Sequence, residues 1–226
     1  MVEGLLQPTL RARGDGLLWA DLAAHAAHDL NNHLTSVLGK AEIALMSPDP
    51  ARWQRGLEEI LEAGQRARSL VADLQRLARW HLGSEGEIAA PDLLGVVVRL
   101  SGRRAERAGI RVEMTGRGSF ADSRLAARIA LLAWQLVERA LSGSEAAAAG
   151  SRGVAWFLEA VAEPDGSWEL TLRHPGSAEP LPGLRVASEA VSGTAEAPGE
   201  WEDVVEACRE LGARLVPLEE GVGLRH

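Results

Sequence analysis

Between Leu17 and Met46 the chain contains no proline, and Ala23, Ala27, Leu30, Leu34, Val37, Ala41 and Ala44 recur at steps of three and four residues. That spacing places them on one stripe of a long helix. Ser47-Pro48-Asp49-Pro50 interrupts the pattern, because each proline removes a backbone donor and restricts the residue before it. A second stripe follows through Leu57, Ile60, Leu61, Gly64, Ala67, Val71, Leu74 and Ala78 and is expected to stop near Leu82-Gly83. Two long helices joined by a short turn make an antiparallel hairpin, and a lone hairpin cannot cover both apolar stripes. A second copy of the chain would cover them by closing a four-helix bundle about a two-fold axis, so a homodimer is expected.

After Ser84 the pattern changes. Residues 84–90 read as a linker, and Pro91 opens a helix carrying Leu93, Val97, Leu100 and Ala105. Ile110 to Met114 alternates as a short strand, and Leu125 to Ser142 returns to helical spacing. Val154 to Ala162 and Ser167 to Arg173 form a hairpin through Pro164-Asp165-Gly166. Pro175 to Gly199, rich in Gly, Pro, Ala and Ser, reads as loop; Trp201 to Leu211 reads as a helix stopped by Gly212, and Arg214 to Leu218 as a last strand. The expected organisation is an N-terminal extension over 1–16, a helical hairpin over 17–83, a linker over 84–90 and a small α/β sandwich over 91–226. The fold class is α+β.

Composition narrows the function. Of 226 residues, 46% are hydrophobic and 25% charged, which fits a packed fold, and the formal net charge of -8 without a basic, aromatic-rich stretch argues against nucleic acid as a partner. The longest apolar stretches fall well short of the roughly 20 residues that cross a bilayer, so no membrane partner is expected. A single cysteine, Cys208, and a start without a secretory pattern predict a cytoplasmic protein. Cys208 lies among apolar neighbours and is expected to be an inert buried thiol.

The candidate chemistry sits on the first helix. At about 100° per residue, His28, Asn32, Thr35 and Glu42 share one polar face while Leu30, Leu34, Val37 and Ala41 point elsewhere. A neutral imidazole offers a lone pair to phosphorus at physiological pH. Asp29 can orient the ring or take a proton, and Asn32, one turn on, can hydrogen-bond a phosphoryl oxygen or an attacking water. An exposed helical histidine is ordinarily a solvated side chain, and spacing alone does not separate the two readings. His25 and His28 supply at most two metal ligands without a clear third, so no metal is assigned.

Ala27-His28-Asp29-Leu30-Asn31-Asn32-His33-Leu34-Thr35-Ser36-Val37-Leu38-Gly39 resembles the H box of bacterial two-component sensor histidine kinases, in the branch where His-Asp is followed by a hydrophobic residue and Asn-Asn. The resemblance implies that His28 is phosphorylated, with Asp29 and Asn32 as its acidic and amide partners. It continues more weakly into the second domain. Phe120-Ala121-Asp122-Ser123-Arg124-Leu125 is similar to the segment before that family's N-box helix, and Gln135-Leu136-Val137-Glu138-Arg139-Ala140 falls at the N box. There Arg139 stands in place of the magnesium-chelating asparagine and Gln135 in place of the preceding one, and a cation does not ligate a cation. After Arg173, His174-Pro175-Gly176 replaces the expected Asp-x-Gly, and Gly183, Gly193 and Gly199 are too scattered for a phosphate loop.

The chain therefore resembles histidine phosphotransferases of multistep phosphorelays, which join a dimeric four-helix bundle to a degenerate kinase ATP-binding domain. That implies phosphoryl transfer between receiver aspartates and His28 without ATP, with no cofactor bound by this chain and Mg2+ supplied by the receiver. Two alternatives stay open: a non-catalytic dimeric adaptor of two-component signalling, and a divergent histidine kinase or a phosphatase in which Asp29 and Asn32 position water.

Overall fold

A computed structural model describes residues 7–147, 155–173, 183–188, 208, 211 and 213–218. Among these the chain forms four helices and a small mixed sheet, an α+β arrangement. It divides into two compact units, one over Trp19–Leu77 and the other comprising Met1–Leu18 with Ala78–His226.

The first unit is built on α1 (Gln7–Met46) and α2 (Pro50–His81). The turn between them is a capping device. Asp49 accepts the Ala51 N–H on its Oδ1 at 3.0 Å, its carbonyl accepts the Arg52 and Trp53 N–H groups, and Pro50 fills the first helical position, where its missing donor is not needed. Trp53 closes the turn by donating its indole N–H to the Ser47 carbonyl at 2.6 Å. The two helices run antiparallel: Lys40 pairs with Glu59, and a Cβ built on Gly56 would meet the Ala44 Cβ at 3.2 Å.

Helix α1 starts at Gln7, so part of the expected extension over 1–16 is helical. Pro8 lies in the first turn, where proline is tolerated, and Gly14 and Gly16 do not stop a helix that the following residues propagate. The distribution of buried positions also departs from the stripe read in the sequence. Leu18, Leu22, Ala26, Asp29 and His33 are buried, whereas Ala23, Ala27 and Leu34 are exposed in the single chain. The apolar arc of α1 is wider than one neighbouring helix can cover, so one flank is buried and the adjacent flank stays open. Helix α2 repeats this: Ala63 and Leu77 are buried while Leu57 and Leu61 remain 63% and 62% exposed.

The end of α2 belongs to the second unit. Gly83, at φ 71°, lets its own N–H and that of Ser84 return to the carbonyls of Trp80 and Arg79, which satisfies the last turn. Glu85 then accepts the Trp80 indole N–H at 2.6 Å and the Arg79 Nε–H at 2.8 Å. The expected linker over 84–90 ends in structure, because Ile88–Ala89 forms β1, antiparallel to β3 (Ser119–Phe120), with Ile88 buried. Helix α3 (Ala90–Ala108) takes its first turn from Pro91, and α4 (Ser123–Ala147) is capped by Asp122, whose Oδ1 accepts the Arg124 N–H at 2.9 Å.

The five-stranded sheet has the order β2 (Arg111–Arg117), β4 (Ala155–Ala162), β5 (Trp168–Arg173), β6 (Gly183–Ser188) and β7 (Ala213–Leu218). Only the β2–β4 pair is parallel, as expected for strands separated by the α4 crossover; the others are antiparallel. Alternation along β4 and β5 puts Trp156, Leu158, Ala160, Leu170 and Leu172 on the buried face, where α3 and α4 bring Leu93, Val97, Leu131 and Leu136. The segment 175–199 was read as loop, yet β6 lies within it, paired to β5 and β7 on either side. Of the predicted helix over 201–211, Cys208 is helical and buried, and burial pushes its thiol up to about 12, which makes it unreactive. The remainder of that helix, apart from Leu211, and His174, Gly193 and Gly199, lie outside the described residues. Among the described residues no helix is long and apolar enough to cross a membrane.

Candidate functional site

Because α1 is regular through this region, side-chain directions follow from position. His28 lies on the open polar face and is exposed, as are Thr35 and Glu42, and Asn32 is half-buried one turn after His28. The face expected from the sequence is therefore the accessible one.

Asp29 and His33 are placed differently. One residue on from His28, Asp29 turns about 100° away and is 7% exposed, and His33 is 6% exposed. The Asp29 carboxylate reaches back one turn, with Oδ2 at 3.9 Å from Nε2 of His25, whose side chain keeps 25% of its surface open. The His25–Asp29 contact was not assigned from the sequence, although its i,i+4 spacing was legible; what the sequence does not state is which of two adjacent polar residues is drawn into the hairpin. His28, Asn32 and His25 thus border the open surface, while Asp29 supports it from beneath.

In the second unit the stretch read as an N box lies on α4. Gln135 and Glu138 are buried and Arg139 is half-buried. Glu138 Oε2 accepts Nη1–H of Arg104 from α3 at 3.0 Å; the same guanidinium donates to Ser142 Oγ at 2.9 Å, and that hydroxyl donates to the Glu138 carbonyl at 2.8 Å. This is a clamp between the two helices. Glu138 is buried and Arg104 mostly so, and the hydrogen bonds of the pair hold the side chains of this α4 segment in place.

Residues 18–83 match the family model of the His Kinase A (phospho-acceptor) domain. No curated protein matches the chain. Among solved structures, it is similar to the Acinetobacter baumannii histidine kinase AdeS, with 18% identity over 67% of this chain and 75% of that one and a TM-score of 0.29. It is also similar to the Erythrobacter litoralis EL346 blue-light activated histidine kinase, with 14% identity over 88% of this chain and a TM-score of 0.41; there it spans 63% of the other protein's length. The match to the His Kinase A (phospho-acceptor) domain covers the whole stretch that carries His25, His28, Asp29 and Asn32.

Proposed function

We propose that this chain is a histidine phosphotransferase of a bacterial phosphorelay, in which His28 takes a phosphoryl group from the aspartate of one response-regulator receiver domain and passes it to another. The observation that carries this reading is the exposure of His28 on the polar face of a hairpin that matches a phospho-acceptor domain. In the accepting step the His28 lone pair attacks phosphorus, a P–N bond forms, and the P–O bond to the receiver's aspartate breaks with its electron pair leaving on the carboxylate. Asn32, one turn on, is placed to donate its amide N–H to a phosphoryl oxygen. The receiver's acidic pocket supplies Mg2+, and this chain binds no cofactor.

The absence of an ATP step rests on α4. Arg139 stands where the kinase resemblance calls for a magnesium ligand, and Glu138 is engaged by Arg104. Calorimetry with ATP and Mg2+ is expected to give no heat at ligand concentrations up to hundreds of micromolar. Binding at tens of micromolar, or phosphohistidine formed from ATP alone, would favour the divergent kinase instead. Mixing the protein with a phosphorylated receiver in the absence of ATP tests the transferase directly, and label at His28 is the expected result; a tight complex without transfer would favour the adaptor.

The same reading includes a homodimer. Leu34 and Leu38 on α1 and Leu57 and Leu61 on α2, each pair four residues apart, are all more than half exposed in one chain, apolar side chains that a second hairpin would cover. A charge at Leu61 costs the isolated chain little, since the position is already open, but would be buried unpaired in a bundle. Leu61→Asp is therefore expected to weaken association by at least tenfold without lowering helix content. Sedimentation decides it: wild type at dimer mass with the variant shifted toward monomer is the expected pair, and a wild type that is monomeric at micromolar concentration removes the bundle.

A further inference from the structure

We infer that the outer edge of β2 is a docking strand for a second copy of this chain, paired antiparallel about Thr115. Strand β2 ends the five-stranded sheet: β4 pairs with it on one side, and among the described residues no strand pairs with it on the other. A strand so placed presents a row of backbone N–H and C=O groups ready to pair with another chain. Helix α3 lies over one face of β2, where a Cβ built on Gly95 would meet the Met114 Cε at 3.9 Å and one built on Gly116 would strike the backbone of Pro91. Beyond Arg117 the chain leaves on the β4 side, since Gly118 lies close against the Ala162 carbonyl. The edge is open accordingly. Arg111, Glu113, Met114, Thr115 and Arg117 are all exposed, and Met114 keeps 46% of its surface although it is apolar.

Charge selects the occupant. Side chains alternate along a strand, so Arg111, Glu113, Thr115 and Arg117 share the face away from α3, the face on which Arg117 meets Glu159. Charges on an edge guard against pairing when a copy laid beside it sets like charges opposite each other. In β2 one register does the reverse. With Thr115 opposite its counterpart in the second copy, Glu113 faces Arg117 on one side of the axis and Arg117 faces Glu113 on the other. Arg117 can turn to such a partner, because 71% of its side chain is open and its contact with Glu159 is long, 3.7 Å.

The neighbouring registers fail. Centred on Met114, the pair would set Arg111 opposite Arg117 twice, and centred on Glu113 it would bring two carboxylates together on the axis. Centred on Gly116, no opposite charges meet. Centred on Val112, Arg111 meets Glu113, but only Arg111 to Glu113 of β2 would then overlap. Pairing about Thr115 joins Glu113 to Arg117 along its whole length and leaves each charge with a partner. This contact belongs to the second unit, uses none of the residues of the hairpin association proposed above, and does not depend on the phosphotransferase reading.

Disulfide trapping in the full-length protein tests both the contact and its register. Directly opposed residues of an antiparallel pair hold their Cα atoms about 4.5–5.5 Å apart, within reach of a disulfide, and the native Cys208 is buried and gives no background. Thr115→Cys is therefore expected to form a covalent dimer under mild oxidation at micromolar concentration. Glu113→Cys is expected to cross-link to itself at least about tenfold more slowly, because its two copies would stand roughly 13 Å apart along the strands. A mixture of Glu113→Cys with Arg117→Cys should give the mixed dimer. Adding Glu113→Arg to the Thr115→Cys protein puts a guanidinium opposite Arg117 and is expected to slow trapping about tenfold without lowering the melting temperature, since Glu113 is exposed. Adding Leu61→Asp instead separates this contact from the hairpin's, and the Thr115→Cys dimer should still form. No covalent dimer of Thr115→Cys, self-linking of Glu113→Cys at the same rate, or loss of the cross-link with Leu61→Asp each overturns the assignment of this edge.

Discussion

His28→Gln is expected to abolish phosphoryl acceptance from a phosphorylated receiver while leaving the melting temperature and helix content of the protein unchanged. The amide occupies a similar volume on an exposed face and disturbs no packing, so the stability change should stay within about 0.5 kcal/mol. Loss of the nucleophile removes the covalent step, and the residual rate should lie below detection, at least a thousandfold down. Asn32→Ala should slow transfer without stopping it, because that side chain stabilises charge and forms no bond to phosphorus. His33 gives the contrast. At 6% exposed it is part of the hairpin interior, so His33→Ala should cost about 1–3 kcal/mol through lost packing and broken polar contacts, and whatever it does to transfer should follow the loss of fold. Acid-labile phosphohistidine in His28→Gln at the wild-type rate would move the site elsewhere.

That His33 and His28 separate so sharply marks where the sequence could be read and where it could not. The hairpin was legible because its signals are local: uninterrupted spacing of three and four, an Asp-Pro start and a glycine stop, each with a direct physical cause in a helix terminus. The polar face with His28 and Asn32 followed from the same periodicity. The burial of Asp29 and His33 did not, because α1 offers an apolar arc wider than one partner helix and only the register with α2 decides which edge closes. Strand β6 was hidden for a related reason. Gly183 to Ser188 carries just Leu184, Val186 and Ala187 as apolar residues amid glycine and proline, and it becomes a strand through β5 and β7, which contribute from distant parts of the chain. The start of α1 at Gln7 lies before the stripe that begins near Leu17, because a helix already nucleated further on can extend back through Pro8 and Gly14 at modest cost.

The largest expected effect on the second unit comes from Gly118→Ala. Gly118 lies between β2 and β3 at φ 74°, its carbonyl accepts the Ala90 N–H at 3.0 Å, and a Cβ built on it would sit 1.9 Å from the carbonyl oxygen of Ala162 at the end of β4. The left-handed backbone alone costs a non-glycine residue about 1–2 kcal/mol. The overlap adds to this, because the obstructing atom is backbone: relieving it requires the end of β4 to move away from β2, where Arg117 pairs with Val161, or the β1–β3 pair to open. Overpacking of that kind adds about 1–3 kcal/mol, so the total is about 2–5 kcal/mol, a large share of what a domain of this size has to lose. Gly166→Ala separates the two terms. Gly166 also has a positive φ, 85°, in the turn between β4 and β5, but nothing lies within 4 Å of its Cβ position. It should therefore cost only the backbone part. Thermal or urea unfolding followed by tryptophan fluorescence reads both variants, since Trp134, Trp156 and Trp168 are buried in this unit. Gly118→Ala should unfold well before Gly166→Ala, and equal midpoints for the two would mean that β4 yields at its end without loss and that the close approach at Ala162 does not hold the edge of the sheet.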